Sequence, residues 1–325
     1  MKIGILGASG AVGRQMIACL EQREIEVDEL RLMGFASVGQ KILFQGKEHT
    51  IVKPSFEGLD VVLGATSAQV AKEYVKAIKH AKALFIDNSS AFRHDETVPL
   101  VIPQLNAQDI AYHQGIIANP NCSTIIALMA INAISKLSEI VGVNAVTYQA
   151  VSGAGVQGIQ ELADETREYV KTKQISRHHT IFPFPILYNC IPQIGDISDD
   201  GYTSEEIKME KEARKILHLP KLKVNCTCVR VPVMRSHCIA LTVYANQELD
   251  LLAVEKALQA SPGVVYLKDE LPMPLVASDN DEVYVGRLRK DRLFPNGITL
   301  FVCGDQIRKG AATNAIEILE CYTKL

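Results

Sequence analysis

Cys122 lies in Asn119-Pro120-Asn121-Cys122-Ser123-Thr124, directly before an apolar stretch, 125–137, with helical character. Asn121 suits the cap of that helix, which puts Cys122 in the first turn. Unpaired N–H groups and the helix dipole there favour a thiolate and can hold an oxyanion. A small buried cysteine on a core helix is the commoner meaning of such a residue alone. Its partners argue for nucleophilic catalysis. Gln149 ends a β-rich stretch before the glycine-rich loop Ser152-Gly153-Ala154-Gly155. His237, in Val231-Pro232-Val233-Met234-Arg235-Ser236-His237, is the residue type best suited to pass protons near neutral pH. Arg93, at the end of Asp87-Asn88-Ser89-Ser90-Ala91-Phe92-Arg93, can grip a phosphate with two donors. Glu205 and Lys208, three apart, share one helix face, and Arg230 stands in an otherwise apolar strand, where a charge needs a partner or a ligand. A thiol with a proton carrier and several anion binders suits covalent chemistry on an anionic substrate.

A second constellation is Gly7-Ala8-Ser9-Gly10-Ala11-Val12-Gly13. It follows a short strand, 2–6, and precedes a helix, 14–22. A glycine turn there lets backbone N–H groups approach a pyrophosphate at a helix N-terminus. The second strand, 30–33, runs into Gly34-Phe35-Ala36-Ser37-Val38-Gly39-Gln40-Lys41, which lacks both the acid usual for NAD and the arginine usual for NADP. With Ser37 and Lys41 as the polar groups there, the reading leans to NADP and leaves NAD open.

The supporting elements alternate in the first third: apolar runs at 61–64 and 83–87 flank a helical stretch at 69–80, the pattern of a parallel sheet between helices. After about residue 140 the strands lengthen, at 144–151, 224–233 and 239–245, and suit a larger mixed or antiparallel sheet. Helices are expected at 158–173 and 204–217, with acids near their starts, and a closing helix at 309–325. The fold class is α/β: a Rossmann-type dinucleotide-binding domain, 1–121, and an α+β catalytic and dimerisation domain, 122–305, with the helix of 306–325 returning to the first.

Composition sets the limits. The 325 residues are 47% hydrophobic and 22% charged, a globular composition, and a net charge of −3 gives no basic surplus for nucleic acid. No apolar run reaches the ~18–20 residues that span a bilayer, and the N-terminal apolar run is too short for a signal peptide. The eight cysteines show no CxxC pair, and no histidine cluster has metal-ligand spacing. The expectation is a cytoplasmic enzyme with reduced thiols, no metal, and neither a membrane nor a nucleic-acid partner.

The chain resembles aspartate-semialdehyde dehydrogenases over nearly its whole length. The resemblance is carried by GASGAVG at 7–13, NSSAFR at 88–93, NPNCST at 119–124, YQAVSGAG at 148–155, GYTSEEIKMEKEARKIL at 201–217, CVRVPVMRSH at 228–237, VGRLRKD at 285–291 and GDQIRKGAATNAI at 304–316, all in order. It implies Cys122 as nucleophile, His237 as acid/base and Gln149 as the residue positioning the acyl intermediate. Arg93 and Lys208 match phosphate-binding positions. Arg230 and Glu205 match those for the substrate's α-carboxylate and amino group, with Asn121 beside them. Gly7 to Gly13, Ser37, Ser152, Gly153 and Gln306 fall on the cofactor side. Gly34 and Ala36 stand where the family often has a serine and an arginine, and Gln306 replaces an asparagine. The resemblance further implies β-aspartyl phosphate or aspartate semialdehyde with phosphate as substrates, and a homodimer or homotetramer. Two other readings are N-acetyl-γ-glutamyl-phosphate reductase, which acts on a longer acetylated substrate, and a non-catalytic nucleotide-binding protein on the same fold.

Overall fold

A computed structural model describes residues 1–324. The chain divides into two compact units, Met1–Asn121 with the chain from Ala311 onward, and Cys122–Gly310. Residues 306–310 thus belong to the second unit.

The first unit is built on β1 (Lys2–Leu6), α1 (Ala11–Gln22) and β2 (Glu29–Met33), a hairpin of β3 (Lys41–Phe44) and β4 (Lys47–Thr50), then β5 (Val61–Gly64), α2 (Ala68–His80), β6 (Leu84–Asp87), α3 (Pro103–Asn106) and β7 (Ile116–Ala118). Its sheet is parallel in the order β2-β1-β5-β6-β7. Ile3–Leu6, β5 and β6 are buried throughout, as expected of strands covered on both faces. The strand order reverses between β1 and β5, and such sheets take ligands beyond the C-terminal strand ends at that switch point. The glycine turn occupies that end of β1. Helix α1 begins at Ala11, three residues before the expected start, because the third glycine already lies inside the helix. The β3–β4 hairpin lies in a stretch with no strand signal: its exposed, charged Lys-Glu-His-Thr arm gives no apolar alternation.

The second unit contains α4 (Cys122–Ser135), β8 (Ile140–Gln149), α5 (Gly155–Thr172), α6 (Ser204–Ile216), β9 (Lys223–Arg230), β10 (His237–Ala245), α7 (Leu251–Gln259), β11 (Val264–Leu267), α8 (Pro274–Ala277), β12 (Val283–Lys290) and β13 (Gly297–Gly304). Its six-stranded sheet runs β11-β12-β13-β10-β8-β9 and is mixed, with β8–β9 and β11–β12 parallel and the other pairs antiparallel. Helix α5 starts at Gly155 rather than 158, so its first turn carries no acid. Helix α6 does carry Glu205 and Glu206 there, and closes a capping box between Thr203 and Glu206. The closing helix is shorter than expected. Arg308–Ala312 form a wider π turn, and α9 (Thr313–Tyr322) then packs Ala315, Ile316, Ile318 and Leu319 into the first unit's core with Ile3, Ile5, Met16 and Leu20. Leu325, the last residue of that expected helix, lies outside the described residues. Among the described residues no helix is long and apolar enough to cross a membrane.

Candidate active site

Strand register in the second unit brings the chemistry together. Gln149 ends β8 and pairs with Arg230, which ends the parallel β9. The antiparallel β10 begins at His237, and Cys238 pairs with Tyr148. Gln149, Arg230 and His237 therefore stand at one end of one sheet, where parallel and antiparallel strands meet.

Cys122 opens α4, a helix buried along Ser123–Ile131 and at Ala133 and Ile134. Burying each Leu, Ile or Met side chain contributes about 1.5–3 kcal/mol, so the apolar body of α4 is fixed in the core. That leaves its first turn as the place for chemistry, and Cys122 itself is partly exposed. Gly310 backs the thiol closely: a Cβ there would lie 2.8 Å from Cys122 Cβ.

His237 is fully buried. Its Nδ1 accepts the Ala150 N–H at 3.1 Å, which leaves the ring proton of the neutral form on Nε2. Nε2 is buried and has no hydrogen-bond partner among the described residues. Burial, reinforced by the Arg230 charge, pushes the imidazole down to about 3, so the resting ring is neutral. Arg230 Nη1 donates to the Ala150 carbonyl at 2.6 Å. The backbone N–H of Ala150 thus holds His237 and its carbonyl holds Arg230. Burial lowers the Arg230 pKa, while Glu205 and Cys122 oppose that shift by their charge. Gly153 leaves the space between the two: a Cβ there would lie 2.6 Å from Arg230 Nη1 and 3.3 Å from His237 Nε2.

Glu205 is buried, and its carboxylate accepts from Gln149 Nε2 at 3.3 Å and from Lys208 Nζ at 3.0 Å. The pairing of Glu205 with Lys208 on one face of α6 is therefore a partly buried ion pair, with Gln149 as its third member. Glu206 anchors the start of α6 to the sheet by accepting the Cys228 N–H at 2.8 Å. On the other side, Gln306 donates to Ser152 Oγ and accepts the Ser236 N–H at 2.8 Å. Both ends of its carboxamide thus hold the loops that carry Gly153 and His237. Asn121, immediately before α4, is buried.

In the first unit, Gly7 has φ of +91° and no room for a side chain against Ala65 and Thr66. The N–H groups of Gly7 and Ala8 donate to Met33 O, and a Cβ on Gly13 would collide with the Gly7 carbonyl. Ala11, Val12 and Gly13 open α1, where N–H groups have no intrahelical partner, and neither an acid nor a side-chain cap occupies that first turn. Thr66 Oγ1 and Asn88 Oδ1, following β5 and β6, are buried without a hydrogen-bond partner among the described residues. These orphaned oxygens and the bare helix start fit a bound dinucleotide. Thr66 escaped the sequence reading because a threonine after a strand carries no spacing signal. Ser37 is buried in the loop after β2, and a Cβ on Gly34 would collide with its Oγ. Glycine at 34 is thus the counterpart of an inward Ser37. Lys41 pairs with Glu48 across the hairpin. Arg93 is buried, with Nε donating to Asn119 O at 2.9 Å and Nη2 to Asn88 O at 2.7 Å.

Residues 2–113 match the model "Semialdehyde dehydrogenase, NAD binding domain", and residues 131–309 match "Semialdehyde dehydrogenase, dimerisation domain". The aspartate-semialdehyde dehydrogenase of Aquifex aeolicus is 41% identical over 99% of this chain and 98% of its own. That of Bacillus subtilis is 40% identical over 100% of this chain and 98% of its own. The chain belongs to the aspartate-semialdehyde dehydrogenase family. A solved member of the family, aspartate semialdehyde dehydrogenase II from Vibrio cholerae, superposes with a TM-score of 0.97 at 38% identity, covering 99% of this chain and 98% of that one. The family's nicotinamide dinucleotide-binding domain and its dimerisation domain are both present. The relatives carry the aspartyl name rather than that of the longer acetylated substrate. Neither family model spans 114–130, so the case for Cys122 rests on its own surroundings.

Proposed function

We propose that this chain catalyses the reversible, NADP(H)-dependent reductive dephosphorylation of β-aspartyl phosphate to aspartate semialdehyde and phosphate, with Cys122 as nucleophile. The observation that carries it is the meeting of Gln149, Arg230 and His237 at one sheet end, in the same unit as the partly exposed Cys122 that opens α4.

The α-carboxylate of the substrate takes the free donors of Arg230, and its amino group takes Glu205. The Cys122 sulfur attacks the acyl carbon. The carbon–oxygen bond to phosphate breaks, the phosphate leaves with the electron pair, and Lys208 steadies its charge. Arg93 is the anion-binding candidate of the first unit. The product on Cys122 is a thioester, which divides one hard step into easier ones. When bound, the dinucleotide supplies the hydride for reduction, or accepts it in reverse. Gly7 to Gly13, Thr66, Asn88 and Ser37 would hold the dinucleotide, with Ser152, Gly153 and Gln306 as candidates in the second unit. His237 presents Nε2–H to the oxygen that becomes negative at the tetrahedral stage, and N–H groups of the first turn of α4 share that charge, each contributing about 3–4 kcal/mol. Collapse leaves the proton on His237 Nε2 and frees the aldehyde and the Cys122 thiolate. Assembly as a homodimer or homotetramer and a cytoplasmic location belong to the same reading.

The test is absorbance at 340 nm with aspartate semialdehyde, phosphate and NADP or NAD. Phosphate-dependent reduction of NADP is expected, and Cys122→Ala should abolish it while far-UV circular dichroism stays unchanged. Full turnover in Cys122→Ala would remove the nucleophile assignment. Faster reduction of NAD would keep the chemistry and overturn the cofactor preference.

A further inference from the structure

Arg230 is held from below by a segment that the mechanism does not use. Its guanidinium carbon lies 5.8 Å from the centre of the Phe182 ring, over the ring face. Phe182 belongs to an irregular stretch after α5, yet it is buried in a small core with Val151, Leu162, Ile186, Leu187 and Ile191. Two carboxylates one helical turn apart on α5 pin that stretch by its backbone. Glu161 accepts the N–H groups of Thr180 at 2.7 Å, Ile181 at 2.8 Å and Phe182 at 3.1 Å, and the Thr180 hydroxyl at 3.0 Å. Glu165 accepts from Ile186 and from Leu187, the latter at 2.7 Å. At its far end the stretch pairs with the Arg230 backbone in both directions, Ile191 N to Arg230 O at 3.0 Å and Arg230 N to Ile191 O at 2.8 Å. Here a buried acid spends its acceptors on the three residues ending at the ring under the guanidinium.

We propose that Phe182, fixed by Glu161, is a positioning residue for substrate recognition: its ring holds the Arg230 guanidinium in the orientation that receives the substrate's α-carboxylate. The ring face attracts the cation and also bars it from turning away. Glu161 acts through the segment 180–182 and touches no reactant. The proposal rests on the reading of Arg230 as the carboxylate binder.

The experiment measures steady-state constants for aspartate semialdehyde, phosphate and dinucleotide in Phe182→Leu, Phe182→Tyr and Glu161→Gln, alone and with Arg230→Ala. Phe182→Leu keeps apolar bulk and loses the ring face, and should raise KM for the semialdehyde about tenfold, leaving the phosphate and dinucleotide constants within twofold. Phe182→Tyr should restore the wild-type value, and Glu161→Gln should raise the same KM. Added to Arg230→Ala, Phe182→Leu should change KM no further. Equal rises in all three constants, or an undiminished effect of Phe182→Leu in the Arg230→Ala background, would make the segment merely structural and overturn the proposal. An Arg230→Ala enzyme with unchanged semialdehyde KM would remove the carboxylate reading itself, and the proposal with it. Should Phe182→Leu not fold, Glu161→Gln decides alone by the same comparison of constants.

Discussion

His237 shows how one backbone group sets the state of a side chain. The Ala150 N–H on Nδ1 selects the Nε2–H tautomer, and burial beside Arg230 keeps the ring neutral. Its folded pKa, about 3, lies below its ordinary 6.5. The unfolded chain therefore binds the extra proton first, and the neutral ring's contribution is present above about pH 6.5 and lost as pH falls towards 3. His237→Gln should cancel that loss. Urea unfolding should show the variant gaining about 1 kcal/mol on the wild type between pH 6.5 and 5.5, and parallel curves would refute the neutral buried ring. The same variant should lose ~10²–10⁴ in kcat at neutral pH if the Nε2 proton serves the reaction. The thiols differ just as sharply. Cys226 and Cys303 are pushed far up by their hydrogen bonds to the neighbouring Cys228 and Cys238 and by burial, which leaves them poor nucleophiles. Iodoacetamide should therefore label Cys122 ahead of both pairs, with the exposed Cys190 as the accessible control.

At the scale of elements, the site depends on where strands stop. Strands β8 and β9 end at Gln149 and Arg230, and β10 starts at His237, so a one-residue slip would turn all three away. The loop between β8 and α5 must then pass close to two of them. Gly153→Ala places a methyl against Arg230 Nη1 and His237 Nε2. It should lower kcat and raise semialdehyde KM together, by about tenfold or more each, with Tm changed by only a few degrees, since the loop can retreat at the expense of the two side chains. A normal enzyme would mean that the open space beside Arg230 is not needed for substrate. The turns were the parts least legible beforehand. The starts of α1 and α5 each lie three positions before the expected ones because glycines can sit inside a helix, and the π turn at 308–312 has no sequence signature at all.

For the whole molecule, the dimerisation domain sets the expected state in solution. Val141 of β8 and Phe294 before β13 line one surface hollow with Tyr244 and are both more than a third exposed, apolar side chains of the kind that subunits cover. Light scattering should give at least twice the 35.7 kDa of one chain. A monomer with full activity would show that the second copy contributes nothing to the site. The sequence alone determined the two-part α/β plan, because buried parallel strands and longer half-exposed strands leave different apolar periods. It also marked Cys122, Gln149, Glu205, Lys208, Arg230 and His237 as chemically suited residues, through their types and motifs. It left open which nitrogen of His237 carries the proton, that Glu205 binds both Gln149 and Lys208, that Gln306 is occupied in holding Ser152 and Ser236, and that Phe182 lies under Arg230. Except for the Glu205–Lys208 pair on one helix face, those relations join residues far apart in the chain. They are set by strand register and burial, and only the folded packing of the sheet end, where backbone groups and desolvation act on each side chain together, decides them.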